Sequence, residues 1–160
     1  MNAFRQAVAW VIEREGGGTV TDDPDDPGGL TRWGISKRAF PHTDIRNLSR
    51  EEAEDIYLRK YWLVCKCDAF PPPVAVALFD SAVNQGPGKA VRLLQRALGV
   101  EDDGAIGDDT LSAAMRAVPG ELLVQYLSRR AVDYARLDPK FHRGWFVRLF
   151  ELQRFAWSLA

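Results

Sequence analysis

Residues 15–35 read Glu-Gly-Gly-Gly-Thr-Val-Thr-Asp-Asp-Pro-Asp-Asp-Pro-Gly-Gly-Leu-Thr-Arg-Trp-Gly-Ile. The stretch begins with a single glutamate, continues through glycine, aspartate and proline, and ends on a threonine and a tryptophan. This composition is incompatible with a regular helix and predicts a loop or a small irregular hairpin over residues 16–36. The stretch therefore places several carboxyl groups on a stiff turn that directly follows a helix.

The pattern on both sides of this stretch is helical. Phe4, Val8, Val11 and Ile12 lie on one helix face, and Gly16 and Gly17 are expected to end that helix. Sustained strand alternation is absent, so we predict a mainly α fold. The next predicted helix starts at the capping box of Ser49 and Glu52 and runs to about Trp62. Further helices are predicted over residues 74–85, 89–98, 110–117 and 121–137, and after Pro139.

Composition limits the class of protein. The chain has 160 residues, 46% hydrophobic and 27% charged, which is typical of a soluble globular domain. A net charge of −1 gives no general attraction to nucleic acid or to an anionic membrane. Residues 1–15 lack the apolar run of a secretory signal, and no segment is predicted to span a membrane. We therefore expect synthesis in the cytoplasm.

The sequence predicts no metal site and no cofactor. Cys65 and Cys67 are too close to form an unstrained disulfide, so both are expected to be thiols. The aspartates of the loop invite a calcium interpretation, but a calcium-loop template that begins at Asp23 places Pro27 and Gly34 where oxygen ligands are needed. Six C-terminal arginines are interpreted as a solvated helix face, with contact to an anionic polymer as the alternative: Arg129, Arg130, Arg136, Arg143, Arg148 and Arg154.

Glu15 is the candidate general acid. It lies in the last turn of the first predicted helix, where the partial negative charge of the helix end disfavours an ionised carboxylate. The alternative is that Glu15 is an ordinary solvated surface residue. Glu13 is the rival acid, but it faces a different direction on the helix.

Thr31 and Trp33, which follow the aspartates, are further candidates for the site. The hydroxyl of Thr31 could orient a water molecule, or it could simply make a hydrogen bond that stabilises the turn. The indole of Trp33 could stack on a sugar ring or fill the core.

The segment Glu15-Gly-Gly, Asp23-Pro-Asp-Asp-Pro-Gly-Gly-Leu-Thr31 and Trp33-Gly-Ile35 resembles the N-terminal signature of glycoside hydrolase family 108, the phage-type N-acetylmuramidases or endolysins. The resemblance implies a lysozyme-like, two-lobed helical fold and hydrolysis of peptidoglycan between N-acetylmuramic acid and N-acetylglucosamine. It implies Glu15 as the acid, Asp26 as the second carboxylate and Thr31 as the third member of the set.

The second half of the chain resembles the peptidoglycan-binding region that accompanies this enzyme. The resemblance lies in Phe79-Asp80-Ser-Ala-Val-Asn84-Gln-Gly86, Leu94-Gln95, Asp103-Gly-Ala-Ile-Gly107 and Arg143-Gly-Trp145. It implies a catalytic lobe over residues 1–70 and a helical peptidoglycan-binding lobe over residues 71–160, which are expected to pack as one compact unit. The substrate-binding residues that we predict are Trp33, Asp80, Asn84 and Gly86.

The chain departs from the family pattern at one place. Gly18 stands where the family usually has an aromatic residue, and the following loop is longer by about two residues. Asp23 and Asp25 are therefore alternatives to Asp26, and Trp33 is an alternative source of sugar stacking. A non-catalytic wall-binding or assembly protein and a lytic transglycosylase are the alternative functions.

The expected partner is the glycan strand of peptidoglycan, with no nucleic acid. A phage enzyme without a signal peptide would reach the cell wall or periplasm from the host cytoplasm through a holin-dependent lesion. The apolar C-terminal segment with Phe146, Phe150 and Trp157 is compatible with a monomer or a weak dimer.

Overall fold

The computed structural model describes residues 2–22 and 29–160, and these residues are mainly helical. They divide into two compact units, residues 2–60 and residues 61–160. The helices are α1 (Asn2–Arg14), α2 (Arg50–Tyr57), α3 (Pro72–Gln85), α4 (Pro87–Leu98), α5 (Asp108–Arg116), α6 (Pro119–Tyr134) and α7 (His142–Trp157). The two strands are β1 (Thr31–Arg32) and β2 (Ile35–Ser36). The prediction of a mainly α fold with a small irregular hairpin is confirmed, and it is consistent with a lysozyme-like helical fold.

In the unit of residues 2–60, helix α1 carries one apolar face. Val8, Val11 and Ile12 are buried, as their spacing predicts. The helix ends where Gly16 and Gly17 adopt left-handed backbone angles, with φ of 88° and 61°. Glycine adopts this conformation without steric cost, so the chain can leave the helix axis directly behind Glu15.

The hairpin follows the loop. Strands β1 and β2 are antiparallel, with Thr31 opposite Ser36, and the Trp33–Gly34 turn joins them. A bridge between Thr21 and Thr31 ties the start of the loop to strand β1. Strand pairing therefore holds residues 21 and 31 together on the two sides of the loop.

Helix α2 begins at the predicted capping box. The Ser49 hydroxyl accepts a hydrogen bond from the Glu52 backbone N–H, and the Glu52 carboxylate accepts one from the Ser49 N–H at 2.8 Å. These reciprocal bonds satisfy two backbone donors that a helix start leaves without partners. After Tyr57 the chain continues as a π-helical segment, Leu58–Trp62, so the helical conformation ends where the sequence predicts.

In the unit of residues 61–160, helix α3 is the central element. Every residue from Pro73 to Ala82 is buried, and the helix packs against α4, α6 and α7. A helix that is apolar on all sides is typical of the core of a bundle. One charged residue, Asp80, lies inside this run.

Prolines set three of the helix starts. Helices α3, α4 and α6 begin at Pro72, Pro87 and Pro119, two residues before the predicted starts. Proline fits the first helical position because its fixed φ is helical and the N–H that it lacks would have no partner there. A short 3₁₀ turn, Pro139–Phe141, leads into α7.

Cys65 and Cys67 are free and buried, as predicted. Among residues 2–22 and 29–160, no helix has the length and apolar character that crossing a membrane requires.

Candidate active site

Glu15 follows α1 and is half-buried. Its N–H donates to the carbonyl of Val11 at 3.0 Å, so its backbone continues the helical pattern for one more residue. Glu13, the rival acid, is exposed, and 81% of its side-chain surface is accessible. The two glutamates therefore differ in environment, since Glu15 is half-buried and Glu13 is exposed.

The Trp33–Gly34 turn packs on the Glu15 side chain. A Cβ atom placed on Gly34 would lie 2.7 Å from Glu15 Cβ and 3.0 Å from Glu15 Cγ. Gly34 also has a left-handed backbone, with φ of 76°. Position 34 therefore requires glycine for two reasons, the space beside Glu15 and the backbone angle.

Trp33 is fixed in place. Its indole Nε1–H donates to the carbonyl of Leu48 at 3.0 Å, and its N–H donates to the carbonyl of Gly17 at 3.0 Å. A Cβ atom placed on Gly18 would lie 2.5 Å from the far edge of the Trp33 ring. The ring thus occupies the space that a side chain at position 18 would need. The prediction that Trp33 binds sugar stays a prediction.

Thr31 makes the turn-stabilising bond that the sequence offered as one alternative. Its hydroxyl donates to the carbonyl of Gly29 at 3.0 Å. The hydroxyl oxygen retains lone pairs that can accept a hydrogen bond from water. The catalytic role of Thr31 stays a prediction. The second carboxylate Asp26 and its alternatives Asp23 and Asp25 lie outside the described residues.

Asp80 is fully buried between two arginines. Arg130 donates from Nη1 to Asp80 Oδ2, and Arg148 donates from Nε and Nη2 to Asp80 Oδ1 at 2.9 and 2.7 Å. Burial by itself raises the pKa of Asp80, but attraction to Arg130 and then to Arg148 outweighs burial and holds the pKa below its usual value. This carboxylate has no accessible surface, so the geometry favours a role in joining α3, α6 and α7 over direct contact with substrate.

The interpretation of all six C-terminal arginines as a solvated face is therefore wrong for two of them. Arg130 is completely buried, and 15% of the Arg148 side chain is accessible. Arg130 also donates from Nε and Nη2 to the Tyr134 hydroxyl, at 3.0 and 2.7 Å. Sequence reasoning missed these partners, although a single aspartate inside an apolar helix signals a buried charge that needs a cation.

Asn84 and Gly86 lie at the end of α3. The Asn84 amide donates to the carbonyl of Asp80 at 3.0 Å, one turn back along the helix, and the residue is exposed. Gly86 is half-buried with φ of 86°, so its backbone conformation explains the glycine. Their predicted contact with substrate stays a prediction.

The Asp103–Gly107 segment is held by Gln95. The buried Gln95 amide donates to Asp103 Oδ1 at 2.7 Å and to the carbonyl of Ala105 at 2.9 Å, and its oxygen accepts from the Gly104 N–H at 2.8 Å. Asp103 also accepts from the Ala105 N–H at 2.9 Å, and the backbone bond from Ala105 is the first of the causes that lower the pKa of Asp103. These contacts give the motif a structural role within the unit of residues 61–160.

The described residues contain no group of three or more histidine, cysteine, aspartate or glutamate side chains that could hold a metal ion. Glu15, Thr31 and Trp33 contribute a carboxyl, a hydroxyl and an indole group to the unit of residues 2–60. The carboxyl group can transfer a proton, and the other two can bind polar ligands.

The residues described above lie within matches to a known protein family and to a solved structure. The family model described as glycosyl hydrolase 108 matches residues 8–86. A solved structure titled "Structure of Brucella abortus SagA" has a TM-score of 0.88 and is 30% identical; the match covers 99% of this chain and 95% of that one. The chain belongs to the glycosyl hydrolase 108 family. As a family member it is a glycoside hydrolase of the N-acetylmuramidase class.

The glycosyl hydrolase 108 match contains Glu15, Thr31 and Trp33. A second model, described as predicted peptidoglycan domain, matches residues 89–150 and contains Gln95 and Arg130. At the level of the family, the two matches support peptidoglycan as substrate and partner. The comparison with curated proteins found no match to this chain. The predicted division into lobes at residues 70 and 71 stays a prediction.

Proposed function

We propose that the chain hydrolyses the β-1,4 bond between N-acetylmuramic acid and N-acetylglucosamine in peptidoglycan, with Glu15 as the general acid. The observation that carries the proposal is the placement of Glu15. This glutamate is half-buried behind α1, its side chain packs on the Gly34 backbone, and it lies within the match to the hydrolase family. Packing against Cβ and Cγ limits the positions that the Glu15 carboxyl group can take, which favours its alignment with the glycosidic oxygen.

In the proposed reaction Glu15 donates its proton to the glycosidic oxygen as the bond from that oxygen to the anomeric carbon breaks. An ionised aspartate, Asp26 or its alternatives Asp23 and Asp25, activates a water molecule or stabilises the developing positive charge on the sugar. The Thr31 hydroxyl accepts a hydrogen bond from that water, because its own hydrogen is donated to the Gly29 carbonyl.

The first experiment compares Glu15→Gln with Glu13→Gln on purified, washed peptidoglycan. The readouts are turbidity, new reducing ends and product mass. We expect Glu15→Gln to fold normally and to lose at least about 10²-fold in rate, the lower bound typical of general acid catalysis. The exposed Glu13 serves as the matched control, since its loss should leave the rate within about twofold. Full activity in Glu15→Gln would remove Glu15 from the mechanism.

The product masses distinguish the hydrolase from the alternative functions. Hydrolysis adds one water and gives a new reducing end for every bond broken. A lytic transglycosylase would release anhydro sugars one water lighter, without new reducing ends. A wall-binding protein without activity would bind peptidoglycan and release neither product.

A second experiment identifies the partner carboxylate. Asp23→Asn, Asp25→Asn and Asp26→Asn are compared at saturating substrate, and we expect the largest loss for Asp26→Asn. Measuring the anomeric configuration of the first product by NMR then distinguishes inversion from retention. Inversion corresponds to carboxyl groups about 6.5–9.5 Å apart and retention to about 5–5.5 Å.

We further propose that the enzyme is a phage or prophage endolysin that crosses the inner membrane of its host through a holin lesion. The support is the resemblance of residues 15–35 to the phage-type enzymes. Cytoplasmic expression alone should leave cells intact, and co-expression of a holin should lyse them. Lysis without the holin would contradict this route.

A further inference from the structure

Glu15 and Tyr57 both lie against the Trp33–Gly34 turn. A Cβ atom on Gly34 would lie 2.7 Å from Glu15 Cβ and still closer to the Tyr57 hydroxyl oxygen, so both side chains meet the turn at the space that this glycine leaves open. The Tyr57 hydroxyl donates to the carbonyl of Trp33 at 3.0 Å. The turn therefore contacts both Glu15 and Tyr57, although Tyr57 lies 24 residues after Trp33 in the sequence.

Several hydrogen bonds fix this turn. The Trp33 N–H is bonded to Gly17, its indole to Leu48 and its carbonyl to Tyr57, each at 3.0 Å. Trp33 has a left-handed backbone, with φ of 56°, which is rare for a bulky residue. Such a conformation persists only where surrounding contacts determine it, and the carbonyl bond from Tyr57 is one of those contacts.

Tyr57 is well placed for this role. It is the last residue of α2, its side chain is buried, and 1% of its surface is accessible. A buried phenol ring has few orientations available, so its hydroxyl group holds the Trp33 carbonyl, and with it the turn, in one position. Without that hydroxyl the Trp33 carbonyl loses this donor, and the peptide plane between Trp33 and Gly34 is freer to rotate.

We propose that Tyr57 is a positioning residue for the Glu15 carboxyl group and acts through the Trp33–Gly34 turn. The inference rests on the proposed function, in which Glu15 is the acid. Tyr57 fixes the turn, and the turn leaves the Glu15 side chain a restricted set of orientations. Orientation of the acid enters the rate of proton transfer rather than the strength of substrate binding.

The test is Tyr57→Phe, which removes only the hydroxyl, compared with Tyr126→Phe as the matched control. Tyr126 is also a buried tyrosine whose hydroxyl donates to a backbone carbonyl, that of Ala90 at 3.4 Å, but it belongs to the unit of residues 61–160. Both variants lose a buried hydroxyl. Only Tyr57→Phe changes the turn that contacts Glu15.

We expect Tyr57→Phe to lower kcat on soluble peptidoglycan chains by about 10- to 100-fold, with KM changed by less than about twofold, because a small misplacement of a catalytic group reduces the rate to this extent. Tyr126→Phe should leave kcat within about twofold. The indole N–H signal of Trp33 in a ¹⁵N NMR spectrum should shift in the first variant only. Equal kcat values in the two folded variants would overturn the inference.

Two further measurements separate this inference from the proposed function. In a Glu15→Gln background, Tyr57→Phe should cause no further loss, because a positioning residue has no effect once its target is gone. Activity retained in Glu15→Gln itself would instead contradict the proposed function, in which Glu15 is the general acid. If Tyr57→Phe does not fold, Tyr57→4-aminophenylalanine restores a donor at the same place and should restore kcat. A folded protein with that residue and a low kcat would also overturn the inference.

Discussion

Asp80 and Arg130 form an ion pair in which neither side chain has any accessible surface. Asp80 is on α3 and Arg130 on α6, and Arg148 on α7 donates to the other carboxylate oxygen. A buried carboxylate that loses its hydration must recover an equivalent interaction inside the protein. Here two guanidinium groups provide that interaction and join three helices at one carboxylate.

The first prediction follows from this pair. Asp80→Asn leaves Arg130 buried without its counter-charge, and we expect it to lower the free energy of unfolding by about 3–5 kcal/mol. Urea denaturation followed by circular dichroism measures the change. Asp138→Asn is the control, because the Asp138–Lys140 pair is exposed and its loss should cost less than about 1 kcal/mol. Equal losses in the two variants would contradict the interpretation of Asp80.

The second prediction concerns the pH dependence of stability. The pKa of Asp80 is lower in the folded protein than its usual value, so ionisation of this group stabilises the fold. That contribution is fully present above the unfolded pKa, about 3.9 for aspartate, and is lost as the pH falls through the folded pKa.

Urea denaturation from pH 7 to pH 2 measures this dependence. The difference in stability between the parent chain and Asp80→Asn should be constant above about pH 5 and should shrink below about pH 4. A difference that stays constant down to pH 2, while both proteins remain folded, would show that Asp80 is not the group responsible.

The third prediction concerns Gly18 and the Trp33 ring. A methyl group at position 18 would lie 2.5 and 2.6 Å from two ring carbons, and the indole hydrogen bond to Leu48 opposes any shift of the ring. Gly18→Ala should therefore lower the free energy of unfolding by about 1–3 kcal/mol. In the control Gly88→Ala, nothing lies within 4 Å of the new methyl group on helix α4. Alanine there should be neutral or stabilise the protein by up to about 1 kcal/mol.

Local signals in the sequence predict much of the fold. The Ser49–Glu52 capping box fixes the start of α2 because both bonds form within one helical turn. The prolines show that a helix begins nearby, and the structure places α3 and α4 at Pro72 and Pro87 themselves. These features depend on neighbours in sequence, so periodicity and residue type are sufficient to find them.

The tertiary contacts of the site are not predictable in this way. The Asp80 carboxylate suggests a buried cation, but its two partners lie 50 and 68 residues further along the chain. From the sequence Gly34 is an ordinary turn glycine, and only the folded chain brings both Glu15 and Tyr57 against it. Pairing over such separations depends on how the helices pack, which local sequence patterns do not specify.

The last prediction concerns Cys65 and Cys67, which are free and buried. Burial raises the pKa of Cys67 far above that of an ordinary thiol, while the hydrogen bond from Cys67 lowers the pKa of Cys65. Reaction with a thiol reagent requires both a thiolate and access to it. Because both side chains have no accessible surface, we expect labelling by a disulfide reagent at neutral pH to be limited by opening of the protein. The labelling rate should rise steeply with urea and should fall when a variant slows unfolding. Rapid labelling of one thiol in the native protein, at a rate independent of urea, would show that this thiol is accessible without unfolding.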